Sequence, residues 1–369
     1  MKLTVRNIGP IKEANLEISD KTVVVGPNNS GKTFLATAFY SLVNLPITPH
    51  GTLIDLNLSP GENECEIKKD ELEKFVAHAL TSYFGVPINK IITAGENEGV
   101  IENDNVKILL KKDGKVEVET KKEMKFLVKY KEINRNKVYI IKNENEVEVE
   151  ISGDLKFANE VITDYVLKSL FSMDWSPSAF ISSERIAFMS FKPFISYSVF
   201  SPFREISLKP LSLDALRWVE PVELEIFGHK VKVEIGENGL PTIRAFLNGE
   251  EVISSSGIEQ FAIIESVAKN PNIKGMIIEE PELDLHVDAE IEAGRRLSRY
   301  NKKLFITTHG DYLTMTMAYL LREKVKVYEL IDGKAEERKV TEDGLLEKLE
   351  TIDTIALETV DKMLEGKFE

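Results

Sequence analysis

Four short stretches of this chain carry residue types that suit phosphate chemistry. The first is Gly26-Pro27-Asn28-Asn29-Ser30-Gly31-Lys32-Thr33. Gly26 and Gly31 allow backbone conformations that turn successive N–H groups toward one anion, and a helix after them adds the positive end of its dipole. In such a loop the lysine, Lys32, reaches the β- and γ-phosphates of a nucleotide, and the hydroxyl of Thr33 suits Mg²⁺. The pattern arises by accident in about one chain in a hundred of this length at average residue frequencies. The second stretch is Met276-Ile277-Ile278-Glu279-Glu280-Pro281-Glu282, an apolar run ending in carboxylates. Glu279, at its end, would act on the Mg²⁺ side through the ion's bound waters, and Glu280 would be general base for an attacking water. The third, Ser254-Ser255-Ser256-Gly257-Ile258-Glu259-Gln260, is a small-residue loop opening a helix. Its hydroxyls and N–H groups suit an anion, but Ser256 with Glu259 also reads as a capping box, and the residues alone leave both readings open. The fourth, Leu304-Phe305-Ile306-Thr307-Thr308-His309, ends in an imidazole that can contact a γ-phosphate and sense its loss, or serve structure only.

These residues need elements to hold them. The β-branched run 22–25 reads as a buried strand leading into the phosphate loop, and 34–42 as a helix that Pro46 and Pro49 end. Helices over 258–269 and 287–300 alternate with strands over 274–278 and 303–307, which predicts an α/β fold with a mostly parallel sheet flanked by helices. Before the loop lie strands over 2–6 and 14–18, joined by the Gly9-Pro10 turn. From about 59 to 175 the character changes to a charged helix over 70–83 and short alternating runs at 106–110, 116–120, 125–130, 138–142 and 147–151, with Asp113-Gly114 as a hairpin turn. We read three parts: residues 1–58 with the phosphate loop, a β-rich insertion over 59–175, and 176–369 with the other three stretches. The third part adds antiparallel strands over 222–227 and 230–235 about Gly228-His229, later strands over 326–330 and 335–340, and one or two terminal amphipathic helices.

The 369 residues carry a net charge of −14, which excludes a generally basic, nucleic-acid-coating surface. Between Lys107 and Lys137, however, eleven Lys/Arg face five Asp/Glu, either a solvated strand face or a contact for DNA or a partner. A single cysteine, Cys65, rules out an internal disulfide and a cysteine-built zinc site. No signal-peptide core and no run of about 18 apolar residues occurs, so the expectation is a cytoplasmic protein with no membrane partner.

Taken together, the order of the four stretches resembles the ABC-type ATPase heads of the SMC and RecF/RecN group, and most of all the ATPase module of the overcoming-lysogenization-defect (OLD) family. The opening strand, the Asn7-Ile8-Gly9-Pro10-Ile11 turn and the phosphate loop match that group. So do Ser255-Ser256-Gly257 with Gln260 as signature loop, Glu280-Pro281-Glu282-Leu283-Asp284-Leu285-His286 as acidic motif, and His309 as switch histidine. Ser182-Ser183-Glu184-Arg185 resembles a further short motif. The resemblance covers about residues 1–45 and 176–325 and implies a P-loop NTPase of ABC/SMC-head type using ATP and Mg²⁺. It further implies a second copy of the chain paired head-to-tail, so that Ser255, Gly257 and the turn near Asp284 serve the partner's ATP, and an effector such as a nuclease or toxin under control in DNA maintenance or phage defence. The sequence departs from the pattern in three ways. Glu279 stands where the group has aspartate, no glutamine is present for the Q-loop, and the 60 residues after His309 are too few for the Toprim nuclease of OLD proteins. Nuclease activity is therefore not expected in the chain itself. Two other readings stay open: an ATP-gated scaffold with negligible hydrolysis, and a transporter's nucleotide-binding subunit.

Overall fold

The computed structural model describes residues 1–44, 61–121, 125–131, 137–142, 145–150, four positions between 162 and 171, 174–185, 210–236 and 239–350. The terminal helices anticipated from the sequence lie beyond residue 350, outside the described residues. One sheet of eleven strands organises them, in the order β11 (Ser178–Ile181), β16 (Gly275–Glu279), β17 (Lys303–Thr308), β3 (Lys21–Val25), β18 (Val325–Ile331), β19 (Lys334–Arg338), β2 (Ile11–Glu17), β1 (Lys2–Ile8), β5 (Glu98–Asn103), β6 (Val106–Lys111) and β7 (Val116–Thr120). The first five run parallel. Beyond them β18–β19 is antiparallel, β19 meets β2 in parallel, and β2, β1, β5, β6 and β7 form an antiparallel extension.

Why the parallel strands are continuously apolar follows from what covers them. Val24, Ile277, Phe305 and Phe180 point into a core on one face; their neighbours Val23, Val25, Met276, Ile278, Leu304, Ile306, Ala179 and Ile181 point into a core on the other. A strand buried on both sides has no polar face to show. Helix α1 (Lys32–Asn44) fills the first core and is buried at every residue from Leu35 to Asn44. Its Phe39 stacks on Phe305 of β17, with ring centroids 4.7 Å apart, and meets Trp175 edge-on. Helix α2 (Lys69–Phe84) packs over α1, and the short α3 (Ile88–Ile91) packs against α2 and β6. Helices α4 (Ser256–Lys269), α5 (Val287–Arg299) and α6 (Asp311–Leu321) cover the opposite face.

Two smaller sheets complete the architecture. Strands β4 (Gly61–Glu66), β8 (Lys125–Lys131), β9 (Lys137–Lys142) and β10 (Asn145–Glu150) form an antiparallel sheet of their own. The segment 59–175 thus divides: β5 pairs with β1, so β5–β7 continue the main sheet, while β4 and β8–β10 do not. Strands β12 (Val222–Ile226), β13 (His229–Ile235), β14 (Pro241–Leu247) and β15 (Glu250–Val252) make the third sheet, which leads into α4. Its first turn falls one residue earlier than anticipated, on Phe227 and Gly228, both at positive φ (47° and 79°), the backbone of a tight two-residue hairpin.

Among the lysines of the basic stretch whose side chains are described, Lys107 meets Glu119 at 3.5 Å, Lys111 meets Glu98 at 3.2 Å and Lys115 meets Asp113 at 3.4 Å. Among the described residues no helix is long and apolar enough to cross a membrane.

Candidate functional site

Because β11, β16, β17 and β3 are parallel and adjacent, their carboxyl ends share one edge, the place where open α/β sheets bind ligands. The register puts Val25 beside Thr308 and Thr307 beside Glu279, so the phosphate loop, His309 and the acids leave the sheet at one level.

The phosphate loop leaves β3 at Gly26, where a Cβ would come within 3.0 Å of the Leu330 carbonyl. Asn29 (φ 62°) and Gly31 (φ 105°) supply the left-handed backbone that curls it. Lys32, the first residue of α1, folds back into the loop. Its Nζ donates to the carbonyls of Gly26 (2.8 Å) and Pro27 (2.9 Å) and lies 3.4 Å from Nδ1 of His309. Burial lowers the ammonium pKa to about 8, against the pull of Glu280, Glu282 and Glu279. Ser30 Oγ is buried and finds no hydrogen-bond partner among the described residues. A loop with a cation at its centre, an orphaned buried hydroxyl, and Pro27, Asn28 and Asn29 exposed at its rim fits a phosphate chain.

Glu279 ends β16 and is 3 % exposed; its Oε2 accepts the Ser183 N–H at 3.4 Å. With Thr33, Ser182, Ser183 and Glu184 it lines a cavity of about 50 Å³. A hydroxyl and a carboxylate around a space of water size are oxygen donors of the kind a hard divalent cation takes, so Thr33 and Glu279 could hold Mg²⁺. Glu280 breaks the strand by adopting φ 45°, a left-handed conformation that costs a non-glycine residue. Its N–H donates to Thr307 O at 2.7 Å, and its Oε1 lies 3.3 Å from His309 Nε2. The contact with His309 holds the carboxyl below its ordinary range, against the burial that would raise it. The network assigns the imidazole: Nε2–H donates to Glu280, leaving Nδ1 to accept from Lys32. Lys32, His309 and Glu280 are thereby joined in one line. Glu282 fixes the next link, its Oε1 accepting the His309 backbone N–H at 2.7 Å, while burial pushes its own carboxyl up.

The third stretch has its contacts elsewhere. Ser255, not Ser256, caps α4, its Oγ accepting the Ile258 N–H at 3.4 Å, and Glu259 takes the Ser254 hydroxyl instead of closing a capping box. Ser255 is exposed at the open helix end and Ser256 half-buried. Gly257 is buried against the Asp284–Leu285 turn; a Cβ there would stand 2.6 Å from Asp284 O. Gln260, grouped with the nucleotide-binding residues from its position, is 1 % exposed and its Nε2 donates to Asp284 Oδ2 at 2.9 Å. Its amide reaches inward, so it supports the turn and the loop instead of facing a ligand.

One residue that carries no role in the sequence reading holds the edge together. Arg185, four residues past β11, is 2 % exposed, and its guanidinium donates to the carbonyls of Ser182 (3.1 Å), Glu279 (2.8 Å) and Glu280 (2.7 Å). The sequence singles it out only within Ser182-Ser183-Glu184-Arg185, the short motif after an apolar strand, with no role attached.

No family model matches the chain, and no curated protein matches its sequence. Among solved structures it is similar in overall course to an Smc head bound to the C-terminal winged-helix domain of ScpA, at 13 % identity over 91 % of this chain and 96 % of that one, TM-score 0.42. An Smc head with an extended coiled coil, bound to the C-terminal domain of ScpA and derived from Pyrococcus furiosus, is 11 % identical over 97 % and 98 %, TM-score 0.42. The recombination mediator protein RecF of the RecFOR pathway is 11 % identical over 91 % and 97 %, TM-score 0.36. Likenesses at these scores decide neither family nor reaction; the geometry of the edge carries the functional reading.

Proposed function

We propose that this chain is an ABC/SMC-type ATPase that binds Mg²⁺ and ATP at the carboxyl edge of β3, β16 and β17 and hydrolyses ATP slowly. The observation that carries the reading is the line from the phosphate-loop lysine through His309 to Glu280, with contacts of 3.4 and 3.3 Å. Lys32 exchanges the loop carbonyls for β- and γ-phosphate oxygens. Mg²⁺, held by Thr33 and Glu279, supplies neutralisation of the phosphate charge when bound. Glu280 is ionised at neutral pH and takes a proton from water as the water oxygen bonds to the γ-phosphorus; the bond to the β–γ bridging oxygen breaks, leaving ADP and inorganic phosphate. His309 keeps Glu280 oriented through Nε2–H, and once Lys32 has turned to the phosphates its Nδ1 must carry a proton to donate to a γ-phosphate oxygen.

The exposed N-terminus of α4 at Ser255 is free to accept the nucleotide of a second copy, which supports a head-to-tail dimer with ATP between the heads. Such a clamp would regulate an effector, a nuclease or toxin, in DNA maintenance or phage defence. Light scattering with and without ATP tests it: the Glu280→Gln variant, which keeps its nucleotide, is expected to dimerise only with ATP, and adding Ser255→Arg to abolish this. A dimer formed without ATP, or one indifferent to Ser255→Arg, contradicts the reading. A scaffold that is gated by ATP and barely turns over is the second reading, favoured by the depressed basicity of Glu280.

A further inference from the structure

We propose that Arg185 is the positioning residue for the general base: its guanidinium clamps the β16 end so that Glu280 keeps its left-handed backbone and aims its carboxylate at His309. The inference rests on the ATPase reading above and names the part of the chain that makes Glu280 competent.

An ordinary continuation of β16 would follow the pleat, and Glu280 would then point to the opposite face from Glu279. The chain instead turns at φ 45°. Two hydrogen bonds hold Glu280 there. The first runs from its own N–H to Thr307 O (2.7 Å), within the sheet; the second comes from Arg185 Nη2 to its carbonyl (2.7 Å). Arg185 Nη1 simultaneously grips Glu279 O (2.8 Å) and Ser182 O (3.1 Å). One rigid fork thus fixes both peptides that flank the catalytic carboxylate and ties them to the end of β11. The planar guanidinium is what makes this possible, since a lysine's single ammonium cannot span three carbonyls in a fixed plane.

The charge is placed for a second purpose. Arg185 lies among Glu279, Glu280, Glu282 and Asp284, and these carboxylates oppose the burial that draws its guanidinium down to about 10. A neutral side chain there would strip the guanidinium donor from the Glu279 and Glu280 carbonyls, while Ser182 O keeps the Arg185 backbone N–H, and would leave the acids without their counter-charge. The predicted consequence is a misaimed base, not a lost nucleotide site, because Arg185 makes none of these contacts to the phosphate loop.

The test uses the full-length protein and the variants Arg185→Lys and Arg185→Ala, each alone and combined with Glu280→Gln. Displacement of the base by about 1 Å is expected to lower kcat about 100-fold. Affinity for a fluorescent ATP analogue should stay within about threefold, showing that the variants are folded. In the Glu280→Gln background the further loss should vanish, because a base that is absent cannot be misaimed. Guanidinium ion at millimolar concentration should restore part of the kcat of Arg185→Ala, and methylammonium should not. An active wild type with Arg185→Lys equally active, or with losses that add in full to those of Glu280→Gln, overturns the inference alone. A wild type that binds ATP without hydrolysing it overturns the ATPase reading and this inference with it.

Discussion

Raising the pH should loosen nucleotide binding, and Lys32 sets where. Its ammonium titrates near 8 because burial opposes the charged form, and the three acids around it do not fully compensate. A bound triphosphate would hold the proton on, so binding at high pH must first reload it. With the free lysine titrating at about 8, it is about nine-tenths charged at about pH 7 and about one-tenth charged at about pH 9. The dissociation constant should therefore rise about tenfold across that interval, about 1.4 kcal/mol. Anisotropy of a fluorescent ATP analogue with Mg²⁺, read from about pH 6.5 to about pH 9.5, measures it. Lys32→Arg, charged throughout, should give a flat profile. Folding stability must move the opposite way. The unfolded chain keeps this proton up to 10.5 and the folded one releases it near 8, so between those values the unfolded state binds more protons and rising pH favours the fold. A wild-type affinity equal at both ends of the range would refute the placement of Lys32 in a buried, phosphate-facing loop.

Two further outcomes follow from close contacts and charge pairing. Gly257→Ala places a methyl 2.6 Å from Asp284 O and 2.7 Å from Leu285 Cδ2, which should destabilise the fold by about 1–3 kcal/mol in denaturant unfolding; an unchanged midpoint contradicts that packing. Since Lys107, Lys111 and Lys115 already meet carboxylates, replacing all three by alanine should leave affinity for duplex DNA unchanged at any salt, whereas a loss with a shallower salt slope would make this face a DNA contact.

The sequence made the parallel core and the edge that carries the candidate site legible for one reason: strands buried on both faces and a glycine-rich loop leave strong local marks. Val23-Val24-Val25, Met276-Ile277-Ile278 and Leu304-Phe305-Ile306 are such runs, and each ends at a residue of the site. Other elements lack those marks. Strand β4, Gly-Glu-Asn-Glu-Cys-Glu, has almost no apolar residue, and β5 carries Gly99 as its second residue. A Cβ at Gly99 would collide with Ile8 of β1, so the glycine that weakens the strand signal is what lets β5 pair there. That pairing joins part of the supposed insertion to the main sheet, and no local pattern announces a partner 90 residues away. Helix α6, which starts two residues after His309, leaves no clear stripe in the sequence because its apolar residues are spread around it, with Tyr312, Met315 and Tyr319 exposed. At the candidate site, residue types pointed to Lys32, Thr33, Glu279, Glu280 and His309, which the structure brings to one edge of the sheet. They did not suffice for Gln260, whose amide turns inward to Asp284, or for Arg185, whose work is done on backbone carbonyls that carry no identity in a sequence.

The central claim is that Glu280, aligned by His309 beside Lys32, takes the proton from the water that attacks ATP. Phosphate release from Mg²⁺ and ATP, measured for the wild type and for Glu280→Gln at equal nucleotide occupancy, tests it most directly. The wild type should turn over about 10²- to 10³-fold faster than Glu280→Gln, with ATP affinity preserved in the variant. A wild-type rate no greater than that of Glu280→Gln would contradict it.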